Sequence, residues 1–310
     1  MRSPGPKWVK NLSLTLWSIW SWFVFGVCML VALPLMALTW VVTAPFDPPR
    51  YWTGYIFRRT TVIHQKLNPL WRFRISGEFP KNPRNPYVMV SNHESFVDIL
   101  LISHLPWEMK WLSKTENFKI PVAGWNMRLA KDIELVRGDR ESGSRAMVEC
   151  AKRLDQKVSV MIFPEGTRSY EGDLLPFKVG AFRLAIEKQL PILPLACHGT
   201  APALRKHDWR QGRSNAELHV LEPISTEGMT LDDVDRLTDM VRERIRAELK
   251  LMGRNLSEPP VTGREDSDGS AANDSDSTDS DLTAAGSAAG EPSGDGVVDL
   301  RAEEPLSSPQ

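Results

Sequence analysis

Between Lys10 and Asp47 lie 36 residues without one Asp, Glu, Lys, Arg or His. Over Leu12–Val42 the apolar side chains fall on every face of a helix rather than along one stripe. Roughly 20 helical residues, at about 1.5 Å each, cross a ~30 Å hydrocarbon layer, so the segment is long enough to span one. A cleavable secretory leader has an apolar region of only about 7–15 residues, so residues 1–46 are predicted to be a retained anchor. Trp8, Trp40 and Trp52 flank the run as interfacial aromatic residues do. Pro34 interrupts it, leaving a single span, a span with an interfacial piece, and a re-entrant hairpin as alternatives.

Past the anchor, residues 47–74 are basic and aromatic-rich and are expected to form a juxtamembrane linker. From Tyr87 the pattern changes to short apolar runs alternating with helical periods. Tyr87–Ser91, Met109–Ser113, Ile133–Val136, Val158–Phe163, Ile192–Ala196 and Glu217–Leu221 are predicted strands. Ser95–Leu105, Val122–Ala130, Ser142–Leu154 and Val179–Lys188 are predicted helices. A last helix, Leu231–Leu251, has apolar positions at Val234, Leu237, Val241, Ile245 and Leu249. The alternation predicts an α/β domain over 75–254 with a largely parallel sheet. Residues 255–310 hold almost no large apolar side chain and are expected to be a disordered acidic tail.

Charge sharpens this division. The formal net charge of −1 conceals a tail with 13 Asp and Glu against Arg264 and Arg301, a balance of −11, which leaves +10 for residues 1–256. A basic body suits an anionic partner, and the uncharged anchor favours a lipid surface over nucleic acid. Basic residues on both sides of the anchor favour a domain facing the cytoplasm. Cys28, Cys150 and Cys197 are widely spaced, which suggests neither a disulfide framework nor a zinc site.

Two strand ends carry candidate chemistry. The first predicted strand runs into Ser91-Asn92-His93-Glu94-Ser95-Phe96-Val97-Asp98. A carboxylate five residues after a histidine can accept from one ring nitrogen and leave the other free to take a proton, with no metal needed. Ser95-x-x-Asp98 also matches a capping box that merely starts a helix. No G-x-S-x-G elbow occurs, so a covalent serine intermediate is not suggested. The second strand end is Phe163-Pro164-Glu165-Gly166-Thr167-Arg168-Ser169. Pro-Glu-Gly is a turn signal, and an Arg with hydroxyls on such a turn can receive a phosphate.

In this order and spacing the motifs resemble the lysophosphatidate (1-acylglycerol-3-phosphate) acyltransferase family. Asn92-His93 to Asp98 matches the family's Asn-His-x-x-x-x-Asp element, and Phe163–Ser169 matches Phe-Pro-Glu-Gly-Thr-Arg-Ser. Arg137 after Ile133–Val136 matches a third block, without the Gly that often opens it, and Leu190-Pro191-Ile192-Leu193-Pro194-Leu195 matches a fourth. Lys114 falls where the family has a basic residue. The resemblance covers about residues 75–225.

It implies a glycerophosphate-acyltransferase-like fold, with His93 as general base and Asp98 as its orienter. Lys114, Arg137, Glu165, Gly166, Thr167 and Arg168 would bind substrate, Arg168 and Lys114 holding the acceptor's phosphate. The implied donor is acyl-CoA or acyl-acyl-carrier-protein, the acceptor a lysophospholipid, and no separate cofactor is implied. Glycerol 3-phosphate or another lysophospholipid could serve as acceptor on the same scaffold. A membrane-tethered lipid-binding protein without catalysis is the alternative of a different class.

Overall fold

The computed structural model describes residues 7–82, 84–169, 173–205 and 208–256. They belong to one compact unit, residues 1–265. The tail expected to be disordered lies outside the described residues from Ser257 on. Its first two residues do not: Leu256 packs against the main core.

The apolar segment is one helix, α1 (Lys7–Thr43), which continues through Pro34 without a hairpin. Residues Asn11–Thr43 satisfy the length and composition of a membrane span. One stripe of α1, including Ser18, Ser21, Cys28, Ala32 and Met36, is buried. Small side chains there let the helix lie closely on the protein. The remainder, including Leu16, Trp20, Phe23, Leu30, Leu38 and Val41, is exposed and apolar. The helix is tied to the body by hydrogen bonds from Trp22 Nε1 to the Trp209 carbonyl, 2.8 Å, and from Asn126 Nδ2 to the Met29 carbonyl, 3.0 Å.

The linker expected over 47–74 is instead two elements of the body. Tyr51–Lys66 forms helix α2, with Tyr51, Phe57, Arg58 and His64 buried, and Trp71–Gly77 forms strand β1. Some of the basic residues that suggested a linker have internal partners, while Arg72 and Arg74 of β1 stay exposed. Arg58 binds the Asp132 carboxylate, and Arg59 Nη2 donates to the carbonyls of Ser103 and Leu105. Pairing of this kind offsets part of the cost of burying the charge and leaves no hydrophobic periodicity to betray the helix.

The remaining elements follow as β2 (Val88–Ser91), α3 (Asp98–Ile102), β3 (Met109–Lys114), α4 (Thr115–Lys119), α5 (Ala123–Leu129), β4 (Ile133–Leu135), α6 (Arg140–Asp155), β5 (Ser159–Ile162), α7 (Gly180–Lys188), β6 (Ile192–His198), β7 (Ser214–Val220) and α8 (Val234–Leu251). The strands form a seven-stranded sheet in the order β1-β7-β6-β2-β5-β3-β4. All pairings are parallel except β6 with β7. The expected α/β fold with a largely parallel sheet is what the chain adopts.

Period-two alternation assigns the strands' side chains to two faces. Val88, Val90, Val160 and Ile162 pack with α6, α7 and α8, and Leu237, Val241, Ile245 and Leu249 seal that face as their spacing predicts. Met89, Met161, Leu193 and Leu195 face the opposite layer, with Leu101, Ile102 and Trp107. Because β6, β2, β5, β3 and β4 run parallel and adjacent, their C-terminal ends line one edge of the sheet. Such an edge is where α/β folds carry ligand sites.

Candidate active site

His93 leaves β2 at this edge, and its strand end is pinned to β6 from both sides. Asn92 Nδ2 donates to the Cys197 carbonyl and Asn92 Oδ1 accepts from the Cys197 amide, each at 2.8 Å. The imidazole Nδ1 lies 2.8 Å from Asp98 Oδ2. The same oxygen accepts from the amides of Glu94 and Ser95, at 2.7 and 3.0 Å, and Asp98 Oδ1 accepts from the Thr200 hydroxyl. A carboxylate surrounded by donors is an acceptor only, so Nδ1 carries the proton in the neutral ring and Nε2 is the free base nitrogen. Asp98 is fully buried, while the His93 side chain is 12% exposed.

The capping-box alternative is half realised. Ser95 N–H does bond Asp98, but the Ser95 hydroxyl donates to the Leu204 carbonyl and accepts a long bond, 3.4 Å, from the Val97 amide rather than from that of Asp98. The carboxylate therefore serves the loop and the imidazole together.

The second motif grips His93 at three places. Phe163 stacks on the imidazole with ring centroids 3.9 Å apart and planes inclined by 14°. The His93 amide donates to Glu165 Oε1 at 2.9 Å, and its carbonyl accepts from the Ser169 amide at 2.7 Å. Glu165 Oε2 accepts from the Leu175 amide at 3.0 Å. Burial pushes the Glu165 carboxyl up to about 7, against the pull of these two amides and of the nearby Arg254 guanidinium. Gly166 has φ of +71°, a conformation that L side chains rarely adopt, which explains glycine at that turn.

The expected cations are set out along the same edge. Arg168 follows β5, Lys114 ends the neighbouring β3, and Arg137 stands two residues past the rim strand β4. Arg168 and Lys114 are half-buried and Arg137 is exposed; none forms an ion pair among the described residues. The sheet order thus brings His93, the Glu165–Arg168 turn and Lys114 onto three successive strands, with Arg137 one strand further out. Thr167 is exposed. Among the described residues no cluster of His, Cys, Asp and Glu is arranged to hold a metal ion.

Sequence reasoning missed Thr200 and Arg254. Thr200 follows β6, and only the adjacency of β6 to β2, which the sequence does not reveal, brings it to Asp98. Arg254 approaches from beyond α8.

Comparison with known proteins places this edge in a family. An acyltransferase family model matches residues 72–198. A 1-acyl-sn-glycerol-3-phosphate acyltransferase of Chlamydomonas reinhardtii is 31% identical over 233 residues, 73% of this chain and 68% of that protein. The chain belongs to the 1-acyl-sn-glycerol-3-phosphate acyltransferase family. The human 1-acyl-sn-glycerol-3-phosphate acyltransferase alpha is 37% identical over 186 residues, 59% of this chain, and the match spans 66% of the human protein, just under two thirds. The fold agrees with that of the 1-acyl-sn-glycerophosphate acyltransferase PlsC of Thermotoga maritima, with a TM-score of 0.65 at 23% identity, covering 81% of this chain and 99% of that one. The stretch common to the acyltransferase family holds every site residue expected from the motifs. Thr200 and Arg254 lie outside it.

Proposed function

We propose that the protein transfers a fatty acyl group from acyl-CoA or acyl-acyl-carrier-protein to the sn-2 hydroxyl of lysophosphatidate, giving phosphatidate. The observation that carries this reading is the His93–Asp98 pair, with Nδ1 fixed on the carboxylate and Nε2 free. His93 Nε2 takes the proton of the acceptor hydroxyl as its oxygen attacks the thioester carbonyl. The C–S bond then breaks, and the imidazolium returns the proton to the departing thiolate. Asp98 stabilises the imidazolium between these steps. Neither a covalent enzyme intermediate nor a metal enters the scheme.

Arg168 and Lys114, cations without an ion-pair partner among the described residues, suit the acceptor's phosphate, which carries close to two negative charges near neutral pH. Glu165 suits a different part. With one oxygen on the His93 amide and the other on the Leu175 amide, it acts as a strut between loops rather than as an acceptor contact. The exposed apolar face of α1 supports a membrane anchor that holds this edge near lipid substrates, and the basic flanks favour a cytoplasmic body.

The test is an assay of the purified full-length protein in phospholipid vesicles, with one labelled acyl-CoA and a panel of lysolipids and glycerol 3-phosphate. Phosphatidate formed fastest from lysophosphatidate is the expected result. Faster acylation of glycerol 3-phosphate or of another lysophospholipid would move the assignment to that acceptor. Failure to acylate any of them would favour the lipid-binding alternative.

A further inference from the structure

We propose that Arg254 is a positioning residue for His93, binding the two loops of the site to each other from beyond the family block. The inference rests on the acyl-transfer reading of His93. Helix α8 ends in a turn in which Gly253, at φ +88°, sends its amide to the Lys250 carbonyl and Arg254 sends its own to Leu249, at 3.0 and 2.9 Å. This closure satisfies the last carbonyls of the helix and reverses the chain, so that Arg254 points back to the sheet edge. The residue is only 7% exposed.

Its guanidinium meets both motifs. Nη1 lies 3.5 Å from Glu94 Oε1, and Nη2 donates to the Ser169 carbonyl at 3.1 Å. Glu94 directly follows His93, and Ser169 is the residue whose amide holds the His93 carbonyl. Glu94 also caps the end of β6, its Oε2 accepting from the amides of Gly199 and Thr200 at 3.0 and 3.2 Å. Thr200 in turn donates to Asp98. Arg254 thus closes a circuit that passes through the backbone of the base and the carboxylate that orients it. Three buried acids, Glu94, Asp98 and Glu165, stand in this circuit, and Arg254 supplies positive charge beside them. Loss of that charge lets the Ser169 and Glu94 loops separate, and a displacement of about 1 Å at a reacting group can cost on the order of 10²-fold in rate.

The test uses the full-length chain in vesicles with Arg254→Ala, Arg254→Lys, Glu94→Gln and the Arg254→Ala/Glu94→Gln double variant. Turnover, both Michaelis constants and melting temperature are measured for each, with assays at least 10 °C below the midpoint. Arg254→Ala should lower kcat by about 10- to 50-fold while each KM stays within about 3-fold. Arg254→Lys should recover part of the loss, because an ammonium reaches Glu94 but cannot also hold the Ser169 carbonyl. The double variant should fall less than the product of the two single losses. In parallel, the downfield proton resonance of His93 Nδ1–H, assigned by its loss in His93→Ala, should shift in both Arg254 variants. A purely structural arginine would lower the melting temperature and leave kcat and this resonance unchanged, which would overturn the proposal. Should Arg254→Ala fail to fold, the lysine variant decides: a wild-type kcat and resonance in it also overturn the proposal. Should the wild type acylate nothing, the acyl-transfer reading fails, and the resonance alone still decides whether Arg254 positions His93.

Discussion

Buried carboxylates gather at both edges of the sheet, and they are compensated in different ways. At the C-terminal edge Glu94, Asp98 and Glu165 face mainly neutral donors: the amides of His93, Glu94, Ser95, Leu175, Gly199 and Thr200, and the Thr200 hydroxyl, with the Arg254 guanidinium further off, 3.5 Å from Glu94. At the N-terminal edge Glu108 and Asp132 face cations. Lys110 Nζ lies 2.9 Å from Glu108 Oε1, Arg58 Nη2 binds Asp132 Oδ1, and Arg58 Nε lies 3.6 Å from Glu108 Oε2. Burial pushes Glu108 up and Lys110 down, and their mutual attraction opposes both shifts. Amide donors fix loops without cancelling charge, which keeps an imidazole oriented and its other nitrogen free. Cation partners cancel charge and join elements, here α2 to β3 and β4. Burial of an acid alone does not mark a site; what it is paired with does.

The sharpest way to break this contrast is to remove one cation from the N-terminal edge. Arg58→Met leaves Asp132 and Glu108 short of compensation and should cost about 3–5 kcal/mol of stability. Turnover of the folded protein should stay within about 3-fold. Denaturant unfolding and activity on the same preparation check both, and a large kcat loss at unchanged stability would show that the two edges are coupled.

At the C-terminal edge the signature is a pH slope. The folded Glu165 carboxyl titrates near 7, above its ordinary 4.5. Its contribution to stability is therefore fully present below about pH 4.5, is lost as pH rises to about 7, and is flat beyond; the change amounts to about 3 kcal/mol. Glu165→Gln, neutral throughout, should lack this component when unfolding free energies of the two proteins are compared from pH 4.5 to 8. A difference that does not vary with pH would mean that Glu165 is ionised throughout that range.

A smaller effect is expected from two cations that form no ion pair among the described residues. Arg168→Ala or Lys114→Ala should raise the acceptor KM by about 10- to 150-fold, from one charge-assisted hydrogen bond of roughly 1.5–3 kcal/mol, with the donor KM nearly unchanged. Arg168→Lys should rescue only in part. A uniform kinetic defect with a lowered melting temperature would instead make Arg168 a tie for its own turn.

The contrast also explains what could be read from the sequence. His93, Asp98 and the Phe163–Ser169 turn were legible because a hydrogen-bonded base, a glycine with positive φ and an arginine on a turn need fixed residue types at fixed spacing. Strands β2 to β7 and α8 were legible from their apolar patterns. Helix α2 was not, because its buried Arg58 and His64 depend on partners elsewhere in the chain; Arg58 meets Asp132 and Glu108, and His64 meets Ser21. Strand β1 was hidden for a related reason: it is an edge strand whose Arg72 and Arg74 face solvent, so its composition matched that of a linker. Thr200 and Arg254 needed the strand order and the turn after α8, neither of which a local pattern encodes.

The smallest effect expected is that of removing residues 257–310, whose composition cannot contribute a packed pocket wall; specific activity should be nearly unchanged. A marked loss would mean that the tail meets the basic body.

The central claim is that the C-terminal edge catalyses through His93 as a base. Its most direct test is the turnover of His93→Ala in vesicles with acyl-CoA and lysophosphatidate, measured beside its melting temperature. A fall of about 10²–10⁴-fold, with the fold and membrane retention intact, is the expected result. Turnover above about a tenth of the wild-type value would contradict it.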